Sequence, residues 1–217
     1  SLAAALVARC SSGAVVPFRI LHAPRGGETW VAYQGSKAKG DVTVYYGGEE
    51  AGPRPPASDW QPRLSLLVKT FRAPAGAFDD ARPIAASARS DDLYGVSFVD
   101  NIHLGLNPFG PNDNFASAFL GFLKIDRPGR YRIFTVSDDA SYVFLEGRPL
   151  CSWPGRHEWG EGGHGKFGHT LELKKGTYRL EYYHVQDKDM AVMALGWITP
   201  ENLGKKKGND EKVELVP

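Results

Sequence analysis

The run at residues 129–150, GRYRIFTVSDDASYVFLEGRPL, constrains the fold more than any other stretch. Tyr131, Ile133 and Thr135 alternate with Arg132, Phe134 and Val136, and Tyr142, Phe144 and Glu146 alternate with Val143 and Leu145. Side chains on a strand point to opposite faces in turn. Alternating runs rich in β-branched and aromatic residues therefore predict two half-buried strands. Between them, Ser137-Asp138-Asp139-Ala140-Ser141 is too polar for a buried ladder and predicts a loop tip. Gly147-Arg148-Pro149 turns the chain again, because glycine allows positive φ and proline donates no ladder hydrogen bond. The expectation is a hairpin holding two adjacent carboxylates at its tip on a stiff scaffold.

Strand signals recur on both sides of this run. Residues 15–21 (VVPFRIL), 29–33 (TWVAY) and 41–48 (DVTVYYGG) make a first unit over residues 1–52, too thin to stand without a neighbour. Residues 53–59 form a proline-rich, extended linker. Strands are then expected near 64–71, 93–99, 115–125, 170–173, 178–185 and 191–198. Irregular segments are expected at 73–92 and 107–114, and a glycine-rich aromatic loop at 151–168. With no amphipathic helix in sight, the fold class is all-β: an antiparallel, jelly-roll-like β-sandwich over 60–200 with a small N-terminal β subdomain. Residues 201–217 form a charged tail that needs this domain or a neighbouring molecule to order it.

Composition removes several function classes. A formal charge of +1 gives no global field to recruit nucleic acid or an anionic membrane. No run of apolar residues is long enough for a membrane-spanning helix. The opening SLAAALVARC lacks a basic first segment and reads as mature chain. Cys10 and Cys151 either pair, which suits an oxidising compartment, or serve as small core residues. His157, His164, His169 and His184 match no zinc spacing. There is no Gly-x-Ser-x-Gly elbow or phosphate-cradling glycine motif, and pairs such as Asp79-Asp80 and Asp91-Asp92 read as solvated turns, so no catalysis is expected.

From about residue 60 to 200 the chain resembles the protective-antigen-type (PA-fourteen) domain. The matching residues, in order, are Gly121, Pro128-Gly129, Tyr131, Ser137-Asp138-Asp139, Glu146-Gly147 and Trp153. Leu171, Lys174, Gly176 and Tyr178 follow, then Leu195-Gly196-Trp197 and Pro200. The resemblance implies a β-sandwich of the kind found in adhesins and glycosidases. In the adhesin branch an Asp-Asp pair joined by a cis peptide holds a calcium ion that contacts sugar hydroxyls, and Asp138 and Asp139 match that pair. The branch's second loop supplies an asparagine and backbone carbonyls. Here that loop is Gln186-Asp187-Lys188-Asp189, so Asp187 or Asp189 would take the asparagine's place beside a lysine charge. The first 50 residues resemble part of a small β domain of unknown function common in bacterial surface proteins, through Val16-Pro17-Phe18, Thr29-Trp30-Val31 and Val44-Tyr45-Tyr46-Gly47.

Two roles fit the aspartate pair. Carboxylates suit calcium, which takes 6–8 oxygen ligands; equally, Ser137-Asp138-Asp139 caps the hairpin through side-chain to backbone hydrogen bonds. Trp153, His157, Trp159 and His164 supply a ligand platform if their loop faces the same tip, while Trp153 alternatively closes one end of the sandwich. The expected function is a non-catalytic, extracellular or cell-surface module that binds a glycan or surface polysaccharide with calcium. The alternative is a structural subunit that associates with copies of itself through edge strands and terminal segments.

Overall fold

A computed structural model describes residues 7–22, 30–34, 40–45, 65–89, 93–207, 210–211 and 213–216. The chain divides into two compact units, residues 1–64 and 65–217. The linker expected at 53–59 and the Asp91-Asp92 pair lie outside the described residues.

In the first unit, β1 (Val7–Cys10) pairs antiparallel with β4 (Val42–Tyr45), and β2 (Phe18–His22) with β3 (Trp30–Tyr33). Ala8, Cys10 and Val16 form a small core, with Phe18 and Val42 packed against it.

The second unit runs β5 (Leu66–Arg72), α1 (Ala81–Ser87), β6 (Gly95–Val99), β7 (His103–Leu104), β8 (Phe115–Ile125) and β9 (Gly129–Asp138). It continues through β10 (Ser141–Leu145), β11 (Arg148–Trp153), a 3-10 helix (Trp159–Gly165), β12 (Phe167–Leu173), β13 (Gly176–Gln186) and β14 (Val192–Ile198). Three two-residue strands follow: β15 (Lys206–Lys207), β16 (Asp210–Glu211) and β17 (Glu214–Leu215). One antiparallel sheet has the order β11-β10-β13-β8-β5-β6. The other has the order β12-β9-β14-β17, with β7 sharing an edge of β14. Among the described residues no helix is long and apolar enough to cross a membrane.

The two sheets close over a core that includes Val68, Phe119, Leu123, Ile125, Ile133, Val143, Leu180, Met193 and Leu195. On β9 the buried set Tyr131, Ile133, Thr135 and Ser137 follows the period of two read from the sequence. A second apolar cluster packs Ala81, Ile84 and Ala88 of the α1 region against Phe71, Ala116, Ala118, Tyr183 and Val185. The C-terminal residues are tied down by their own domain: β17 extends β14, and Val216 is buried in the core.

Four expectations change. Residues 129–150 do not form a hairpin, because β9 and β10 lie in different sheets and residues 138–141 carry the chain between them. Their polar side chains are not at a solvated tip: Ser137, Asp138, Asp139 and Ser141 are all buried. Residues 148–153 are a strand, not a turn and loop. Pro149 is accommodated where the β10–β11 register slips, on the edge strand, where a missing donor costs no ladder bond. Residues 81–87 are helical, capped by the Asp80 carboxylate accepting from the Arg82 N–H.

Phe134 sits in register between Gly168 on β12 and Gly196 on β14. A Cβ at position 196 would meet only the far end of the Phe134 ring, a side chain that can shift as a whole. A Cβ at 168 would come within 2.7 Å of the Ile133 carbonyl oxygen. Backbone cannot swing aside, so Gly168→Ala is expected to cost about 1–3 kcal/mol. Thermal unfolding checks this: a clear fall in Tm for Gly168→Ala and a smaller one for Gly196→Ala is the expected pair. Equal values would place the constraint in the ring.

Candidate functional site

The corner between the two sheets is held at each successive residue. The Asp138 carbonyl accepts from His184 Nε2 at 2.8 Å, and the Ala140 carbonyl accepts from the Val185 N–H at 3.0 Å. Asp139 lies between them, and the Asp138–Asp139 peptide is cis. The Asp139 carboxylate reaches two loops. Its Oδ1 accepts from the His157 N–H at 3.0 Å, and its Oδ2 from the Asp187 N–H at 2.9 Å. One loop follows β11 and the other follows β13, so a single side chain fastens both to the corner.

Other bonds shape the same rim. The Gln186 side-chain amide donates to the carbonyls of Lys188 and Met190, curling the second loop over its own strand. Asp189 takes a left-handed conformation at φ 67. Arg156 pairs with Asp187 at 3.0 Å and lies 4.2 Å over the Phe78 ring. Beneath the corner, Ser141 Oγ shares 2.7 Å hydrogen bonds with Thr135 and Ser137.

Between the loops opens a cleft of about 590 Å³. Asp138, Asp139, Glu158, Asp187 and Asp189 line it against only Arg156 and Lys188, so the cleft carries excess negative charge. Trp159 (49% exposed) and Met190 (61% exposed) add apolar surface. All five carboxylates offer oxygen, the donor type a hard cation takes. Among the described residues no three His, Cys, Asp or Glu side chains already converge on one point that could hold a metal.

The expected site residues thus separate. Asp138, Asp139, Asp187, Asp189, His157 and Trp159 all line the cleft. Trp153 does not: its ring is stacked between His157 at 3.6 Å and Phe167 at 4.1 Å, leaving no face for a ligand. The ring joins β11 to β12, edge strands of the two sheets. The His164 side chain lies outside the described residues. His184 and Gln186 are wholly buried. They share the inward, even-numbered face of β13 with Leu180 and Tyr182, and polar residues on an otherwise apolar face were the signal for them.

A family model for the PA14 domain, the protective-antigen type, matches residues 104–211. The chain carries a PA14 domain. A PA14 sugar-binding domain from an RTX adhesin shares the fold, with 12% identity, 70% of this chain and 94% of that one covered, and a TM-score of 0.52. The Epithelial Adhesin 6 A domain from Candida glabrata, solved in complex with Galb1-3GlcNAc, has 11% identity, coverage of 72% and 86%, and a TM-score of 0.52. An anti-sigma factor domain-containing protein has 14% identity over 71% of this chain but only 45% of its own, with a TM-score of 0.50. This chain therefore spans less than half of that last protein. No curated protein matches the sequence. At such identities the likeness is one of fold, and what the PA14 cleft does is argued from its residues.

Two buried groups at the PA14 corner titrate in opposite senses. Burial, then the charge of Asp139, pushes the Asp138 carboxyl up to about 6; the Trp159 N–H pulls it back, while Glu158 and Asp189 push it further. Burial pushes the His184 imidazole down to about 4. The folded chain holds the Asp138 proton more tightly than the unfolded one. Its stabilising contribution is therefore full below about pH 4 and lost as pH rises through about 6. Neutral His184 contributes fully above about pH 6.5 and loses that contribution as pH falls through about 4. Asp138→Asn should remove the first slope, making stability rise more steeply with pH across this window. Urea midpoints in calcium-free buffer measure it; profiles parallel to the parent's would show Asp138 titrating as in an unfolded chain.

Proposed function

We propose that the chain is a non-catalytic carbohydrate-binding module of a secreted or cell-surface protein, with a glycan as partner and calcium bound in the cleft. The observation that carries this reading is the meeting of five carboxylates in one cleft beside an exposed tryptophan. The sugar-binding RTX adhesin domain and the glycan-bound Candida adhesin domain, which share the fold, support placing the same activity here.

Asp138 and Asp139 would hold the ion, with Asp187 or Asp189 as a third carboxylate. The Arg156–Asp187 pair is no obstacle: both partners are partly solvated, and such pairs are worth about 0–1 kcal/mol. Bound calcium supplies a positive centre whose remaining positions oxygen ligands such as sugar hydroxyls can fill. The chain's own carboxylates accept hydrogen bonds from further hydroxyls, and the Trp159 ring covers the apolar face of a sugar. Asp139, already gripped by two N–H groups, orients the loops whether or not an ion is present.

Calorimetric titration of metal-stripped protein with calcium, followed by a glycan array with and without the ion, tests this. One-site heat that Asp138→Asn removes, and glycan binding that Trp159→Ala weakens by about tenfold, are expected. No heat in the parent protein would remove calcium from the reading, and no glycan signal under either condition would remove the sugar.

A second reading, association between copies, rests on β6. This edge strand of the six-stranded sheet exposes Val96 (51%) and Phe98 (70%). An unpaired edge with apolar side chains is a template for another strand. A mass that rises with concentration, and stays monomeric in Phe98→Lys, would favour it; a monomer throughout would not.

A further inference from the structure

We propose that His184 is the positioning residue of the Asp138–Asp139 corner, fixing it through one buried hydrogen bond from below. The proposal deepens the calcium and sugar reading of the cleft and rests on it for its functional meaning. The donor is settled by chemistry. A carbonyl only accepts, so the 2.8 Å contact between His184 Nε2 and the Asp138 oxygen requires the proton on Nε2. His184 Nδ1 is buried with no partner, and an N–H there would have no acceptor, so the imidazole is the neutral Nε2–H form.

The surroundings favour that form. Strand register sets His184 between Ser117 on β8 and Ser141 on β10. Ser117 Oγ is likewise buried with no partner. A hydroxyl donor and a bare ring nitrogen thus face the same interior from directly opposed strand positions. A changed Ser117 side-chain rotamer, or one water between them, would let a hydroxyl donate to that bare nitrogen. The Phe115 ring, 5.7 Å from the imidazole, packs against it. His184 and the next residue's N–H grip the two carbonyls that flank Asp139. The placing of the Asp139 carboxylate, and through it of the His157 and Asp187 amides, therefore depends on β13 at this point.

The test uses His184→Leu, which removes the donor, and His184→Gln, whose amide restores one near Nε2. The first readout is hydrogen exchange at the His157 and Asp187 amides in calcium-free protein; the second is calcium affinity. In His184→Leu these two amides should exchange at least about tenfold faster relative to amides in β8, and calcium affinity should fall about 10- to 100-fold. His184→Gln should recover most of both. A lower Tm with both amides as protected as in the parent would reduce His184 to a packing residue and overturn the proposal. If His184→Leu does not fold, nitrogen NMR of the parent imidazole decides: a proton on Nδ1 overturns the proposal, and one on Nε2 with slow exchange upholds it. If the parent binds no calcium while the amide result holds, the calcium reading fails and the positioning role stands.

Discussion

The rim of this sandwich depends on one carboxylate. Asp139 accepts a backbone N–H from each of two loops while sitting at the point where the chain leaves one sheet for the other. Hydrogen bonds to an ionised acceptor are roughly twice as strong as neutral ones, and the Asp139 residue that accepts both is buried. The Arg156–Asp187 pair also spans the two loops, but its charges are partly solvated and hold them weakly. The two loops are therefore pinned to the corner at His157 and Asp187, and that fixes the floor of the cleft between them.

The strands were legible in the sequence because burial imposes their period. Tyr131, Ile133 and Thr135 face inward because every second residue must. The connection between β9 and β10 was not legible. Four polar residues and an alanine between two strands satisfy a hairpin tip and a crossover between sheets equally well, and only the distant partners, β14 for one strand and β13 for the other, tell them apart. Helix α1 was hidden by its length and by Pro83 in its first turn, where proline removes no helical hydrogen bond. The Asp80 cap was its one local sign. Asp138, Asp139 and the carboxylates of the second loop could be read from residue type and resemblance. The uselessness of Trp153 as a platform could not, since it follows from Phe167 and His157 covering its two faces.

The interior is graded along its length. Away from the cleft, the facing layers are Leu123, Ile125, Leu145 and Leu180. Toward the cleft, Thr70, Ser117, His184 and Ser141 stand in register across four strands, opposite Thr135 and Ser137. Apolar side chains at those positions would pack with less risk, because each polar group must find a partner or cost stability. Most have one. At this end of the core Ser117 Oγ, His184 Nδ1 and Gln186 Oε1 lack one, as Trp197 Nε1 does away from it. Local rules of packing are broken where a site needs shape more than it needs burial energy. On that argument the polar end of the core belongs to the function of the cleft and not to the stability of the sandwich.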